Sequence, residues 1–166
     1  KRGTRFRPML RGGHQERGRR AGTENASGII GLGKAAELAR LHLTTEATQV
    51  AALRDRLERE LLAAIPNCFV TGNPATRLPN TSNIAFEYIE GEGILLLLNE
   101  SGIAASSGSA CTSGSLEPSH VLRAMQVPYT AAHGATRFSL SRDTTEAEID
   151  AVIRVLPGIV ERLRKL

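Results

Sequence analysis

The chain of 166 residues has no tryptophan, two tyrosines and four phenylalanines. Binding to single-stranded nucleic acid relies on aromatic platforms for base stacking, so that class of function has little support here. The two cysteines, Cys68 and Cys111, are too few for a disulfide framework, and neither stands in a Cys/His pair with zinc-finger spacing. Such sparing use of cysteine fits a reducing, cytoplasmic setting. No apolar run approaches the length that crosses a bilayer, so a membrane span is not expected. The opening residues, Lys1-Arg2-Gly3, carry neither an initiator methionine nor the apolar stretch of a signal peptide, and the sequence reads as the interior of a longer chain.

What is present is the composition of a globular domain, 41% hydrophobic and 23% charged, in a chain long enough to bury a true core. The net charge of +4 is unevenly spread, because eight of the 21 basic residues fall in the first twenty positions. From residue 21 onward 13 basic side chains face 16 acidic ones. A basic leader thus precedes a mildly acidic domain, and only the leader invites a phosphate or nucleic-acid partner.

Hydrophobic spacing gives the secondary structure. Ile29, Leu32, Ala36, Ala39 and Leu43, then Val50, Leu53, Leu57 and Leu61, recur at helical intervals and predict one long helix, or two with a break near Thr44-Thr45. Pro66 closes that run, and Cys68-Phe69-Val70 predicts a short strand. Residues 83–89 alternate as a strand, residues 92–100 form a buried helix stopped by Gly102, and Ile103-Ala104-Ala105 is a further short strand. Pro118 suits the first position of a helix through Met125. Residues 136–141 alternate again. Thr145 and Glu148 form a capping box that opens a final helix, which Pro157 should kink. This order, without internal repeats, predicts an α+β fold: a small, mostly antiparallel sheet with helices on one face.

Three places carry chemistry. Cys111 lies in Ser106-Ser107-Gly108-Ser109-Ala110-Cys111, a Gly/Ser stretch with almost nothing to bury, and an exposed thiol there suits a reactive role. A lone cysteine is by residue type more often a small buried hydrophobe, which is the reading that Cys68, beside Phe69 and Val70, receives. Arg137 faces away from Phe138 and Leu140, where its fork of donors can clamp a carboxylate; an arginine so placed is by itself more often a solvated surface residue. The stretch from Gly12 to Asn25 passes from a glycine-rich loop to a helix start, with arginines and backbone donors suited to a phosphate, although a flexible basic linker has the same composition. The spacing from Gly28 to Lys34 imitates a nucleotide-binding P-loop, but Ala35 occupies the position that needs Ser or Thr, and the segment is helical. His42, His120 and His133 show no metal spacing.

The phrases Gly12-Gly13-His14-Gln15-Glu16-Arg17-Gly18-Arg19-Arg20-Ala21-Gly22-Thr23-Glu24-Asn25, Ser106-Ser107-Gly108-Ser109-Ala110-Cys111, Glu117-Pro118-Ser119-His120-Val121-Leu122-Arg123-Ala124-Met125 and Arg137-Phe138-Ser139-Leu140-Ser141 together resemble the NifS-type cysteine desulfurases of nitrogen-fixing bacteria. The resemblance runs along essentially the whole chain and points to the C-terminal portion of such an enzyme, a class V, fold-type I pyridoxal-phosphate protein. It implies that residues 1–23 belong with an absent large domain and its connecting loop, and that residues 24–166 form the small domain carrying the catalytic loop 106–117. Cys111 then takes sulfur from L-cysteine as a persulfide, leaving L-alanine, and is a transient ligand to an iron–sulfur centre. Arg137 binds the substrate carboxylate, and Thr23 reaches the phosphate of pyridoxal 5'-phosphate across a homodimer interface.

The lysine that holds the cofactor is not in this sequence at its family position. The fragment alone is therefore expected to be inactive and to lack the cofactor, whereas the full-length homodimer passes sulfur to an iron–sulfur scaffold protein. Neither nucleic acid nor membrane is an expected partner. The alternative is a cofactor-free sulfur carrier or partner-binding module that uses the same cysteine loop.

Overall fold

The structure, a computed structural model, describes residues 3–107 and 117–166. By internal packing the chain divides into two units, Lys1–His42 and Leu43–Leu166. The first holds a short turn at Gln15–Gly18 (α1) and most of a helix, α2, over Ala26–Thr45. Asn25 starts α2 by accepting the Gly28 amide at 3.1 Å, as an N-cap side chain does. Among the described residues α2 buries no side chain at all. The P-loop-like segment lies wholly inside it, where Lys34 pairs with Glu37 at 3.1 Å.

The expected break near Thr44-Thr45 takes a different form. The helix passes into a five-residue π-turn, Glu46–Val50, and resumes as α3, Ala51–Ala64. The Thr48 hydroxyl donates to the Thr44 carbonyl at 2.9 Å, and the Ala51 amide reaches back to Glu46. A hydroxyl that competes for a helix carbonyl loosens the regular ladder at that point.

The second unit continues with β1 (Cys68–Val70), β2 (Thr81–Phe86), α4 (Gly91–Glu100), β3 (Ser106–Ser107), α5 (His120–Ala124), α6 (Tyr129–Ala132), β4 (Ala135–Ser139) and α7 (Glu146–Leu163). The strands form one antiparallel sheet in the order β1-β2-β4-β3. Alternation sorts the side chains. Ile84, Phe86 and Phe138 point into a core shared with Leu57 and Leu61 of α3, Ile94 and Leu98 of α4, and Ile149, Val152, Leu156 and Val160 of α7. The antiparallel α+β sheet is thus present with α3, α4 and α7 packed on one face, while the two short helices α5 and α6 lie against the other. Ala85 and Ala135, on the opposite face, are small enough to admit Leu122 of α5 and Ala131 and Ala132 of α6. Among the described residues no helix is long and apolar enough to cross a membrane.

Two expected elements are displaced, each by backbone hydrogen bonding. Residues 103–105 form no strand, because α4 ends in a Schellman turn. There the Gly102 amide, at φ 74°, bonds to Asn99, and the Ile103 amide bonds to Leu98. That amide serves the helix end, so pairing with β4 begins only at Ser106. The helix expected from Pro118 instead starts at His120, because the Ser119 hydroxyl accepts the Val121 amide and makes Ser119 the N-cap. The capping box of Thr145 and Glu148 is formed in full. Helix α7 runs from Glu146 to Leu163 as a single helix with Pro157 inside it, leaving the Ile153 carbonyl without its usual amide donor.

Charged side chains hold the connections. Arg77 forms a two-pronged pair with Glu58 of α3, both contacts at 2.6 Å, with the side chains only 18% and 10% exposed. Arg54, also on α3, donates to the Leu78 and Pro79 carbonyls. Together they tie the 71–80 loop to α3. Near the C-terminus Arg164 donates to the backbone oxygens of Pro66, Asn67 and Glu87 at 2.8, 2.9 and 3.2 Å.

Candidate active site

Arg137 sits at the middle of β4, an interior strand, and is exposed on the face away from the large core. The register sets Asn83 of β2 on one side and Ser106 of β3 on the other. Asn83 is held in turn by the Thr71 hydroxyl at 3.0 Å. Among the described residues the Arg137 guanidinium has no hydrogen-bond or ion-pair partner. A planar cation presented from a rigid strand, beside an amide and a hydroxyl, is well placed to take a carboxylate in a two-pronged grip.

Cys111 lies outside the described residues. In sequence it follows Ser107, the last residue of β3, by four positions, a length of chain that spans at most about 14 Å when extended. Cys68 is half-buried against the large core and its thiol donates to the Ile65 carbonyl at 3.1 Å. Burial pushes this thiol's pKa up, opposed by the nearby charge of Arg164. A thiol kept protonated in this way is a poor nucleophile, in keeping with the core role expected for it.

Thr23 belongs to the first unit. Its loop is shaped by the Ala21 amide bonding to Leu10, the Gly22 amide to the Gln15 side chain at 3.2 Å, and Arg20 to the Thr23 carbonyl at 2.6 Å. Glu16 and Arg17 are left-handed at φ 51° and 59°, followed by Gly18 at 74°. Consecutive left-handed residues other than glycine are uncommon and are found mostly where function demands an irregular backbone. Arg17, Arg19 and the Thr23 hydroxyl have no side-chain partners among the described residues. This donor set suits a phosphate. It does not suit an aldehyde, which needs a free amine: the lysines among the described residues, Lys34 and Lys165, are exposed and paired with Glu37 and Glu161. Among the described residues no cluster of three His, Cys, Asp or Glu side chains could hold a metal.

A cavity of about 400 Å³ opens on the helix side of the sheet, lined by Phe138, Leu140, Ile149 and Val152 with Ser101 and Glu148. Arg137 does not line it, and Glu148 is already committed to capping α7. The sequence draws attention to Arg137, and to Ser106 only as the start of the Cys111 stretch, but pairs neither Asn83 nor Ser106 with Arg137. Only strand register makes them its neighbours, and nothing in either residue's local sequence signals it.

Residues 4–152 match the model of the aminotransferase class-V family, and the chain belongs to that family. It is 73% identical over its whole length to the cysteine desulfurase NifS of Azotobacter vinelandii, and 70% identical to a cysteine desulfurase of Gluconacetobacter diazotrophicus. It covers 41% and 42% of those two proteins, so it spans about two-fifths of the length of the curated relatives it matches. Among solved structures, a NifS-like protein from Rickettsia africae superposes with a TM-score of 0.81 at 32% identity, over 95% of this chain and 41% of that one. Another NifS-like protein superposes at 0.80 with 34% identity, over 99% of this chain and 41% of that one.

Proposed function

We propose that the chain is the C-terminal portion of a cysteine desulfurase that takes sulfur from L-cysteine onto Cys111 and leaves L-alanine. The observation that carries this reading is the unpaired guanidinium of Arg137, presented next to β3, whose end leads within four residues to Cys111. In this reading Arg137 grips the substrate carboxylate and thereby fixes where the substrate sulfur lies. The Cys111 thiolate forms a bond to that sulfur while the substrate's carbon–sulfur bond breaks. The electron pair of the broken bond stays with carbon, which is then protonated, and sulfur remains on Cys111 as a persulfide.

Pyridoxal 5'-phosphate, when bound, supplies the electron sink that makes this carbon a good leaving group. In this chain Thr23, Arg17 and Arg19 would hold its phosphate, with Thr23 acting across a homodimer interface. The amine that anchors the cofactor must come from elsewhere, since the lysines of the described residues are ion-paired surface groups. Residues 1–23 accordingly belong with the cofactor-binding domain and residues 24–166 with the small domain. The fragment by itself is inactive. The persulfide is handed to an iron–sulfur scaffold protein, during which Cys111 can serve as a passing ligand, in the cytoplasm of a nitrogen-fixing cell.

Co-expression with the remaining part of the enzyme tests this. Sulfide release from L-cysteine should vanish in Cys111→Ala, and Arg137→Ala should raise KM at least tenfold with partial recovery in Arg137→Lys. Unchanged activity in Cys111→Ala would overturn the proposal.

A further inference from the structure

Both tyrosines of the chain meet in one notch of the second unit, although 41 positions separate them. Tyr88 follows β2, and Tyr129 opens α6. They line a cleft of about 220 Å³ together with Glu90 and His133. The convergence is built into the backbone: the Tyr88 amide bonds to the Thr130 carbonyl at 3.0 Å, and the Gly91 amide to the His133 carbonyl at 2.9 Å. Gly134 makes this closeness possible, since a Cβ there would stand 2.0 Å from the Phe86 oxygen.

Ile89 at the base of this cleft belongs to the large core, whereas the two tyrosines and Glu90 are left largely to solvent. Tyr88 and Tyr129 are 66% and 64% exposed. Tyr88 is held at φ 65°, a left-handed conformation that a bulky side chain adopts only under constraint from its surroundings. The ring of His133 packs edge-on against Tyr129, with centroids 4.3 Å apart, and places Nδ1 3.5 Å from a Glu90 carboxylate oxygen. The His133 Nε2 is buried without a partner among the described residues. That favours the tautomer with its proton on Nδ1, facing Glu90, because a buried acceptor is left unpaired more readily than a buried donor. Glu90 is largely solvent-exposed, and among the described residues no lysine or arginine pairs with it.

Two exposed aromatic rings beside a largely exposed carboxylate, whose neighbour within ion-pair distance is the His133 ring and not a lysine or arginine, attract a cation through the ring faces and the carboxylate at once. The cleft is smaller than the usual small-molecule pocket of about 300 Å³ or more, which restricts the guest to one side chain. Guanidinium is the better fit than ammonium, being flat, able to stack on aromatic rings and able to bind a carboxylate through two donors. We propose that the Tyr88–Glu90–Tyr129 notch is a docking site for a single arginine side chain presented by a partner protein.

The absence of tryptophan makes the test direct, because intrinsic fluorescence reports on these two tyrosines alone. The probe is the capped peptide acetyl-Gly-Arg-Gly-amide, titrated against the purified chain, with acetyl-Gly-Gln-Gly-amide as its neutral counterpart. A saturable change in tyrosine emission is expected with the arginine peptide and at least fivefold weaker binding with the glutamine peptide. Glu90→Gln should weaken the arginine peptide at least fivefold, and Tyr88→Asn should do likewise while the residue's left-handed backbone is retained. A flat titration, equal binding of the two peptides, or full binding by a folded Glu90→Gln protein would each overturn the proposal. The comparison of peptides on the unaltered chain decides the matter even where a variant fails to fold. None of these outcomes bears on Cys111 or Arg137.

Discussion

The two units differ in what their apolar residues accomplish. Leu43–Leu166 holds every buried hydrophobic side chain among the described residues, from Val50 to Val160, packed on both faces of the sheet. In Lys1–His42 the helix α2 carries Ile29, Ile30, Leu32, Leu38 and Leu41, all exposed. Apolar content is therefore not what separates them. The second unit has layers that close on one another, whereas α2 is apolar around most of its circumference, a pattern that suits a helix surrounded by other structure. The proposal that its neighbours lie in the rest of a longer enzyme accounts for this difference.

Substitutions can test how sharp the division is. The largest effect should come from Gly134→Ala, whose added methyl collides with the Phe86 backbone; a loss of about 3 kcal/mol or more is expected from overpacking that the backbone cannot relieve. Urea denaturation would register it as a lower midpoint with an unchanged slope. Next is Glu58→Ala, which strands Arg77 in a largely enclosed place. The pairing with Glu58 raises the pKa of Arg77 further, so it stays charged, and about 2 kcal/mol should be lost, less than for a fully buried pair because both groups keep some solvent contact. Thr145→Ala removes the N-cap of α7 and should cost about 1 kcal/mol.

The same cap predicts a pH dependence. Hydrogen bonds from the Thr145 amide and then its hydroxyl hold the Glu148 carboxyl below the usual carboxylate pKa. A lowered folded-state value means that the contribution is complete above the ordinary carboxylate range and disappears as pH falls through the lowered value. Thr145→Ala, which removes the hydroxyl contact but keeps the larger one from the amide, should therefore lessen the acid sensitivity of the thermal midpoint only in part. The smallest effect is expected in the other unit: Ile30→Ser should change the denaturation of the isolated chain by less than about 0.5 kcal/mol, as surface substitutions do. A larger loss would show that α2 is not the uncovered helix it is taken to be.

Much of this architecture was legible in residue patterns. The capping box at Thr145 and Glu148, the strand at Cys68–Val70 and the stop at Gly102 were read from local chemistry that depends on neighbours in sequence. Pattern and structure part where a backbone amide has two possible partners. Ile103 looked like a strand residue, but its amide was taken by the end of α4. Ser119, not Pro118, governed the start of α5, because a hydroxyl that can accept an amide outweighs a favourable φ. The surroundings of Arg137 and the tyrosine notch were out of reach for another reason. Each depends on strand register or on the approach of Gly134 to β2, and these are set by the whole sheet. His133, which shows no metal spacing in the sequence, is mostly enclosed, with its Nδ1 directed at Glu90.

Arg164 has a consequence for how the fold responds to acid. It fastens two distant turns through carbonyl oxygens alone, so no carboxylate takes part in those contacts. The far end of the same helix rests on a carboxylate, that of Glu148. Acidification should therefore fray α7 from its beginning, while at its other end it releases only the exposed Glu161–Lys165 pair and leaves the Arg164 contacts in place, giving the helix a weak end and a more durable one.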